Sequence, residues 1–233
     1  MQIKEFVKAV TYHDTLNPKL WSGTFLKQDV RQRLLAIAKD FIQFIGLPQL
    51  NLKDITISGS NASYGYSEYS DVDLHLIVAM PDDPVMRELF DAKKNNYNFK
   101  HKIQLHGIDV EVYVQDAKQT HHSAGIFSVL NNRWITKPEH KTPEVTDKEV
   151  RQKARSYAIM INKAIKSNDL NTLEDVTADL KRLRQAGLAK GGEFSVENLA
   201  FKLLRSRGKI DKIHNQITKL KDSKLSLEQQ NEN

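Results

Sequence analysis

Apolar residues recur at three- and four-residue steps from Val30 through Leu34, Ile37, Ala38 and Phe41 to Ile45, the spacing of an amphipathic helix, and Gly46 and Pro48 stop it. The period then changes. The stretch "DITIS" (54–58) reads as a short β-branched strand, Gly59-Ser60 as a tight turn, and the aromatic, serine-rich run from Asn61 to Ser70 as a loop. "VDLHLIVAM" (72–80) is a second strand whose nearly unbroken apolar end predicts a central place with both faces covered, and Pro81 closes it. "DDPVMRELFDAKKN" (82–95) carries acids around its start and lysines at its end, the arrangement a helix dipole favours. "KIQLHGIDVEVYVQ" (102–115) alternates about His106-Gly107 and predicts a hairpin.

Beyond this point the pattern becomes helical. "GIFSVLNNRWITKPEHKTPEVTD" (125–147) has no clear period and is expected to be irregular, with Trp134 as a packing anchor between two domains. Pro138 and Pro143 mark 136–147 as a linker. Val150, Ala154, Tyr157, Ile161 and Ile165 then define one helix, and Leu173, Val176, Leu180 and Leu183 another. A third starts at Ser195 as N-cap and continues with Val196, Ala200 and Leu203; Gly208 interrupts it before Ile210, Ile213, Ile217 and Leu220 resume the period. The fold class expected is therefore α/β (α+β): a mixed-sheet core over 1–135, the linker 136–147, an all-helical domain over 148–222 and a frayed polar tail over 223–233.

Composition narrows the chemistry. The 233 residues include no cysteine, which removes disulfides and thiolate zinc sites and leaves oxygen or imidazole to hold any metal. Mean hydropathy is -0.54, and no purely apolar run is longer than Leu76 to Met80, which is far too short to span a bilayer. The opening "MQIKEFVKAVTYHD" has no apolar stretch of a secretory signal, so a cytoplasmic protein is expected. Net charge is +6, and most of the excess falls between residues 151 and 224, where 17 Lys/Arg stand against 8 Asp/Glu. That balance suits an anionic partner such as RNA or nucleotide phosphate.

Asp71 and Asp73 stand two apart at the start of a strand, so their side chains emerge on one face roughly 6.6 Å apart. Two carboxylates on one face repel unless something positive lies between them. A divalent metal is the natural answer, and magnesium in particular is bound by one or two carboxylates together with phosphates such as those of a nucleoside triphosphate. Gly59 lets backbone approach an anion closely, Ser60 offers a hydroxyl, and a helix start just beyond would present N–H groups to phosphate.

The apolar run ending in Gly59-Ser60, ten intervening residues and Asp71-Val72-Asp73-Leu74 resemble the signature of the DNA polymerase β-like nucleotidyltransferase superfamily. That resemblance implies a third carboxylate from a later strand. "GIDVEVYV" offers Asp109 and Glu111, and Glu111 is preferred because the lead Gly107-Ile108-Asp109-Val110 matches the one that commonly precedes the family's third acid. Most relatives have aspartate there. The chain as a whole, from "LNPKLWSG" to "GGEFSVENLAFKLLR", also resembles nucleotidyltransferase-like proteins of tailed bacteriophages, which would put it in the host cytoplasm. The implied activity is Mg-dependent transfer of a nucleoside monophosphate from NTP to an acceptor (RNA, protein or small molecule). Two Mg2+ ions, roughly 3.5–4 Å apart, would be held by Asp71, Asp73 and Glu111, with Gly59 and Ser60 at the nucleotide. The alternative is a catalytically silent module of the same fold that binds RNA or protein.

Other residues have plainer readings. His75 shares the face of the two aspartates and reads as a polar edge residue rather than a ligand. Tyr64 and Tyr66 either stack on a base or pack within their loop, and His121-His122 read as loop. Arg207 and His214 match the loose arginine-six-histidine spacing of HEPN-type ribonucleases, or else lie on a solvated helix face. Lys181, Arg182, Arg184, Lys202, Arg205 and Lys209 are candidates to grip triphosphate or RNA backbone.

Overall fold

A mixed sheet of six strands organises the first of two units, Thr11–Thr142; the other lies within Pro143–Asn233. The structure, a computed structural model, describes residues 12–47, 50–68, 70–120, 123–140 and 145–226. His121 and His122 lie outside these residues.

The first unit opens with a two-stranded hairpin, β1 (Trp21–Ser22) and β2 (Phe25–Leu26), followed by helix α1 (Gln28–Ile45). Strand β3 (Leu52–Ser58), a single 3-10 turn at Ser60–Ala62, strand β4 (Val72–Val78) and helix α2 (Pro84–Lys100) follow. Next come the hairpin of β5 (Gln104–Leu105) and β6 (Ile108–Asp116), then β7 (Ile126–Ser128) and β8 (Arg133–Thr136). In space the order is β5-β6-β4-β3-β7-β8, with β4 and β6 parallel and every other pair antiparallel. A parallel pair needs a long crossover, and α2 supplies it. His106 and Gly107 both have positive φ, 50° and 79°, the conformation a two-residue hairpin turn demands.

Burial divides the sheet by face. Val72, Leu74, Leu76 and Val78 of β4 and Ile108, Val110 and Val112 of β6 are buried in one cluster with Val30, Leu34, Ile37 and Phe41 of α1 and Phe90 and Tyr97 of α2. The intervening residues Asp73, His75 and Ile77 are only half-buried, so β4 is central as expected but covered on one face, not two. The apolar run at its end reflects one inward-facing series with Ile77 interleaved, a pattern that composition alone does not separate from a doubly buried strand.

Two further expectations are corrected. The segment 125–136 is no irregular stretch: β7 and β8 form a hairpin that extends the sheet beyond β3. Trp134 is an anchor inside the first unit, stacked on Trp21 with ring centroids 4.8 Å apart, edge-on to Phe127, and donating its indole N–H to the Thr24 carbonyl at 2.9 Å. These rings tie the β1–β2 hairpin to the sheet.

The second unit is helical throughout its described residues: α3 (Asp147–Ser167), α4 (Leu170–Gly191), α5 (Val196–Ser206) and α6 (Lys209–Leu225). Local capping explains the starts. Thr146 and Glu149 form a reciprocal capping box on α3, Asp169 accepts from the Thr172 N–H on α4, and Ser195 caps α5 as its sequence suggests. Val150, Tyr157, Ile161, Leu173, Leu180, Leu199, Leu203 and Ile213 form a core of their own. Helix α6 continues through Leu225, three residues past the expected limit at 222, and 227–233 of the expected tail lie outside the described residues. No described helix is long and apolar enough to cross a membrane.

Helix α2 does more than connect strands. The side chain of Asn98 donates to the Val112 carbonyl and accepts from the Val112 N–H, both at 3.0 Å, so one amide stands in for a neighbouring strand along the outer edge of β6. At the preceding position, the Tyr97 hydroxyl donates to Asp40 of α1 at 2.6 Å. Burial, followed by that hydrogen bond and the Asp40 charge, raises the phenol's pKa well above its ordinary value. Asn98→Ala is expected to cost about 1–3 kcal/mol in urea unfolding, because both Val112 groups lose their partner. For Tyr97 the sign follows from a folded pKa above the unfolded one: its contribution is complete below about pH 10 and is lost as pH rises further. Alkaline unfolding of Tyr97→Phe should be less steep than that of the wild type above that pH.

Candidate functional site

Strand register brings the candidate acids together. Asp73 on β4 is paired with Ser58 of β3 on one side and with Glu111 of β6 on the other, while Asp71 stands immediately before β4. Asp71, Asp73 and Glu111 each offer a carboxylate oxygen within 4.8 Å of the others, and all three are half-buried. At that separation each charged pair repels by on the order of 3 kcal/mol at an effective dielectric of about 20. Three hard anionic oxygens at such spacing form a donor set for Mg2+ or a similar cation, which would convert the repulsion into attraction. Asp109, two residues earlier on β6, lies outside this cluster; its carboxylate accepts from the Gln104 side chain at 2.6 Å.

Gly59 is a structural requirement of this cluster. Its φ of 73° and ψ of -160° fall in a region essentially reserved for glycine, and a Cβ at this position would lie 2.0 Å from Oδ2 of Asp73. The Gly59 N–H donates to the Ser123 hydroxyl at 3.1 Å, and Ser123 donates onward to the Gly125 carbonyl at 3.0 Å. The Ser60 hydroxyl donates to Ser70 Oγ at 2.9 Å. The Gly59 N–H and the Ser60 hydroxyl expected at phosphate thus have partners within the protein, and the expected helix start is one 3-10 turn, too short to present a row of N–H groups.

The loop carrying Asp71 is fastened by residues whose roles the sequence did not reveal. Asn61, fully buried, donates through its amide to the carbonyls of Ser70 at 3.2 Å and Asp71 at 2.7 Å, and accepts from Asn17 at 2.8 Å. Its own carbonyl accepts the Trp21 indole N–H at 2.8 Å. An asparagine just after Gly-Ser was a visible signal for a turn; its partners some 40 residues upstream were not.

Tyr113 is the other unforeseen member. Its hydroxyl donates to Oε2 of Glu111 at 2.5 Å, and its ring stacks on His75 with centroids 4.9 Å apart. His75 in turn shares a hydrogen bond between Nε2 and the Ser58 hydroxyl at 3.1 Å. His75 is therefore no edge residue: it lies on central β4, in register with Tyr113, and props the tyrosine. Burial, then the Asp73 charge, the hydrogen bond to Glu111 and the charges of Glu111 and Asp71, push the Tyr113 phenol far up. It stays a donor throughout the physiological range. The alternation of "GIDVEVYV" already put Tyr113 on the Glu111 face, which is the signal that could have found it.

The remaining candidates fall elsewhere. Tyr66 is buried beneath His13, whose ring lies parallel at 3.8 Å, and Tyr64 packs with Tyr12 and His140, so both have protein partners, drawn from outside their own loop. In the helical unit Arg184 bonds Asn198 at 3.1 Å and covers the Phe201 ring, Arg182 pairs with Asp179, and Lys209 reaches Asn162 at 3.4 Å. Lys181 and Arg205 are exposed and Lys202 is half-buried. Arg207 caps the end of α5 and His214 is exposed on α6.

No protein-family model matches the chain, and no curated protein matches it. Among solved structures, the STING-associated CdnE c-di-GMP synthase from Capnocytophaga granulosa aligns over 85% of this chain and 84% of its own, at 10% identity and a TM-score of 0.24. Similarity at that level establishes neither a shared fold nor an activity, and the functional reading rests on the site.

Gly59→Ala should lower stability by roughly 1–3 kcal/mol in urea unfolding, since the backbone conformation is strained for any L-residue and Asp73 must move. Relief of that penalty in an Asp73→Ala background would locate its source at the carboxylate.

Proposed function

We propose that this protein is a divalent-metal-dependent nucleotidyltransferase that moves a nucleoside monophosphate from NTP to an acceptor hydroxyl. The observation that carries the reading is the meeting of Asp71, Asp73 and Glu111 on one face of β4 and β6, packed against a glycine turn that admits no larger residue. The Gly-Ser and Asp-x-Asp spacing, which resembles that of the polymerase β-like nucleotidyltransferases, supports it.

In this reading the three carboxylates hold two Mg2+ ions. Bound there, Mg2+ would lower the pKa of the acceptor hydroxyl and stabilise the departing pyrophosphate. The chain's own contribution is position. Gly59 keeps the space beside Asp73 clear, Asn61 fixes the backbone at Asp71, and Tyr113 holds Glu111 in one orientation. Gly59 and Ser60 shape the nucleotide's approach, with the Ser60 hydroxyl ordering the loop through Ser70. The acceptor oxygen attacks the α-phosphorus as the bond to the bridging oxygen breaks, so one phosphoester forms and pyrophosphate leaves. The positive charge of the helical unit suits an anionic acceptor such as RNA.

Transfer of label from α-32P-NTPs in the presence of Mg2+ or Mn2+, with tRNA, protein and small-molecule acceptors, tests the proposal. Asp71→Asn and Asp73→Asn are each expected to reduce transfer at least about 100-fold with folding intact by circular dichroism. A fully active double variant would overturn the reading. Nucleotide or RNA binding without transfer by the wild type would favour the silent binding module instead.

A further inference from the structure

Glutamate has one more rotatable bond than aspartate, so a free Glu111 carboxylate can swing to present either one oxygen or both. In this site that freedom is restricted. Oε2 of Glu111 accepts the Tyr113 hydroxyl at 2.5 Å, and the tyrosine ring is itself confined. One face stacks on His75 at 4.9 Å with an interplanar angle of 18°, while the Lys94 ammonium lies 5.6 Å from the ring centroid. His75 is anchored by the Ser58 hydroxyl at 3.1 Å. Ser58, His75 and Tyr113 lie on three adjacent strands, so the chain of contacts is built into the sheet.

The consequence concerns which ion fits. Mg2+ and cations of similar size require near-octahedral geometry at about 2.0–2.1 Å and take one oxygen from each carboxylate, whereas Ca2+ takes six to eight oxygens at about 2.3–2.6 Å and readily uses carboxylates through both. We propose that Tyr113 keeps Glu111 a one-oxygen ligand and thereby biases the acidic cluster toward small octahedral cations and against calcium. This rests on reading Asp71, Asp73 and Glu111 as the metal-holding set. Tyr113 is a positioning residue here, acting on the ion only through Glu111.

The test is calorimetric titration of wild type and Tyr113→Phe with MnCl2 and with CaCl2, without nucleotide; phenylalanine retains the ring and its stack. The expected result is a fall of at least about tenfold in the ratio of the Ca2+ to the Mn2+ dissociation constant in Tyr113→Phe. In a Glu111→Gln background the same tyrosine change should leave the ratio unaltered. A ratio constant within about twofold, or an equal shift in the Glu111→Gln background, would overturn the proposal. Should the ions bind and Asp71→Asn abolish their binding while the ratio stays constant, only the selectivity claim falls. If the wild type binds neither ion, the metal-dependent reading falls with it.

Discussion

Pairing of β4 with β6 in parallel register sets Asp73 directly beside Glu111, and pairing of β4 with β3 sets the same aspartate beside Ser58, one residue before Gly59. These are backbone hydrogen-bond registers, specified by the apolar series buried on the opposite face. Slipping either strand by one residue to separate the charges would expose that whole series. The molecule therefore accepts mutual repulsion among three carboxylates because the alternative costs more in lost burial.

Everything placed around the acids restricts how they can relax. Asp73 is backed by Gly59, Glu111 by Tyr113, and the backbone at Asp71 by Asn61. Asn61 also receives Asn17 and Trp21, and Trp21 stacks on Trp134 of β8, so the hairpin of β1 and β2, the loop bearing Asp71 and the far edge of the sheet share one contact network. A substitution at Trp134, remote in sequence from Asp71, would reach it through two packed residues.

Much of this architecture was legible in the chain, for physical reasons that differ by element. Helix α1 showed itself because six buried residues keep a 3.6 period over its whole length, and α3 for the same reason with a capping box at its start. The aspartate pair was visible because alternation fixes which residues share a face; alternation puts Asp109 and Glu111 on one face alike, and only the resemblance of the Gly107-Ile108-Asp109-Val110 lead favoured Glu111. Strands β7 and β8 were not legible: at three and four residues they are too short for a period, β7 is buried throughout and β8 is mostly exposed. The interactions that fasten Asn61 could not be read either, since its partners are brought near only by the fold. His75 was misplaced because a polar residue in an apolar strand resembles an edge residue until the strand order is known.

Asn98 gives the sheet a further property. A parallel strand such as β6, paired on its inner side with β4, would leave a row of N–H and C=O groups pointing outward beyond the short β5. Val110 N–H is taken by the Ile103 carbonyl, and both groups of Val112 by a single carboxamide projecting from α2. An incoming extended peptide thus finds the rungs at the Val110 N–H and at Val112 already filled, which hinders edge-to-edge pairing along this stretch of β6.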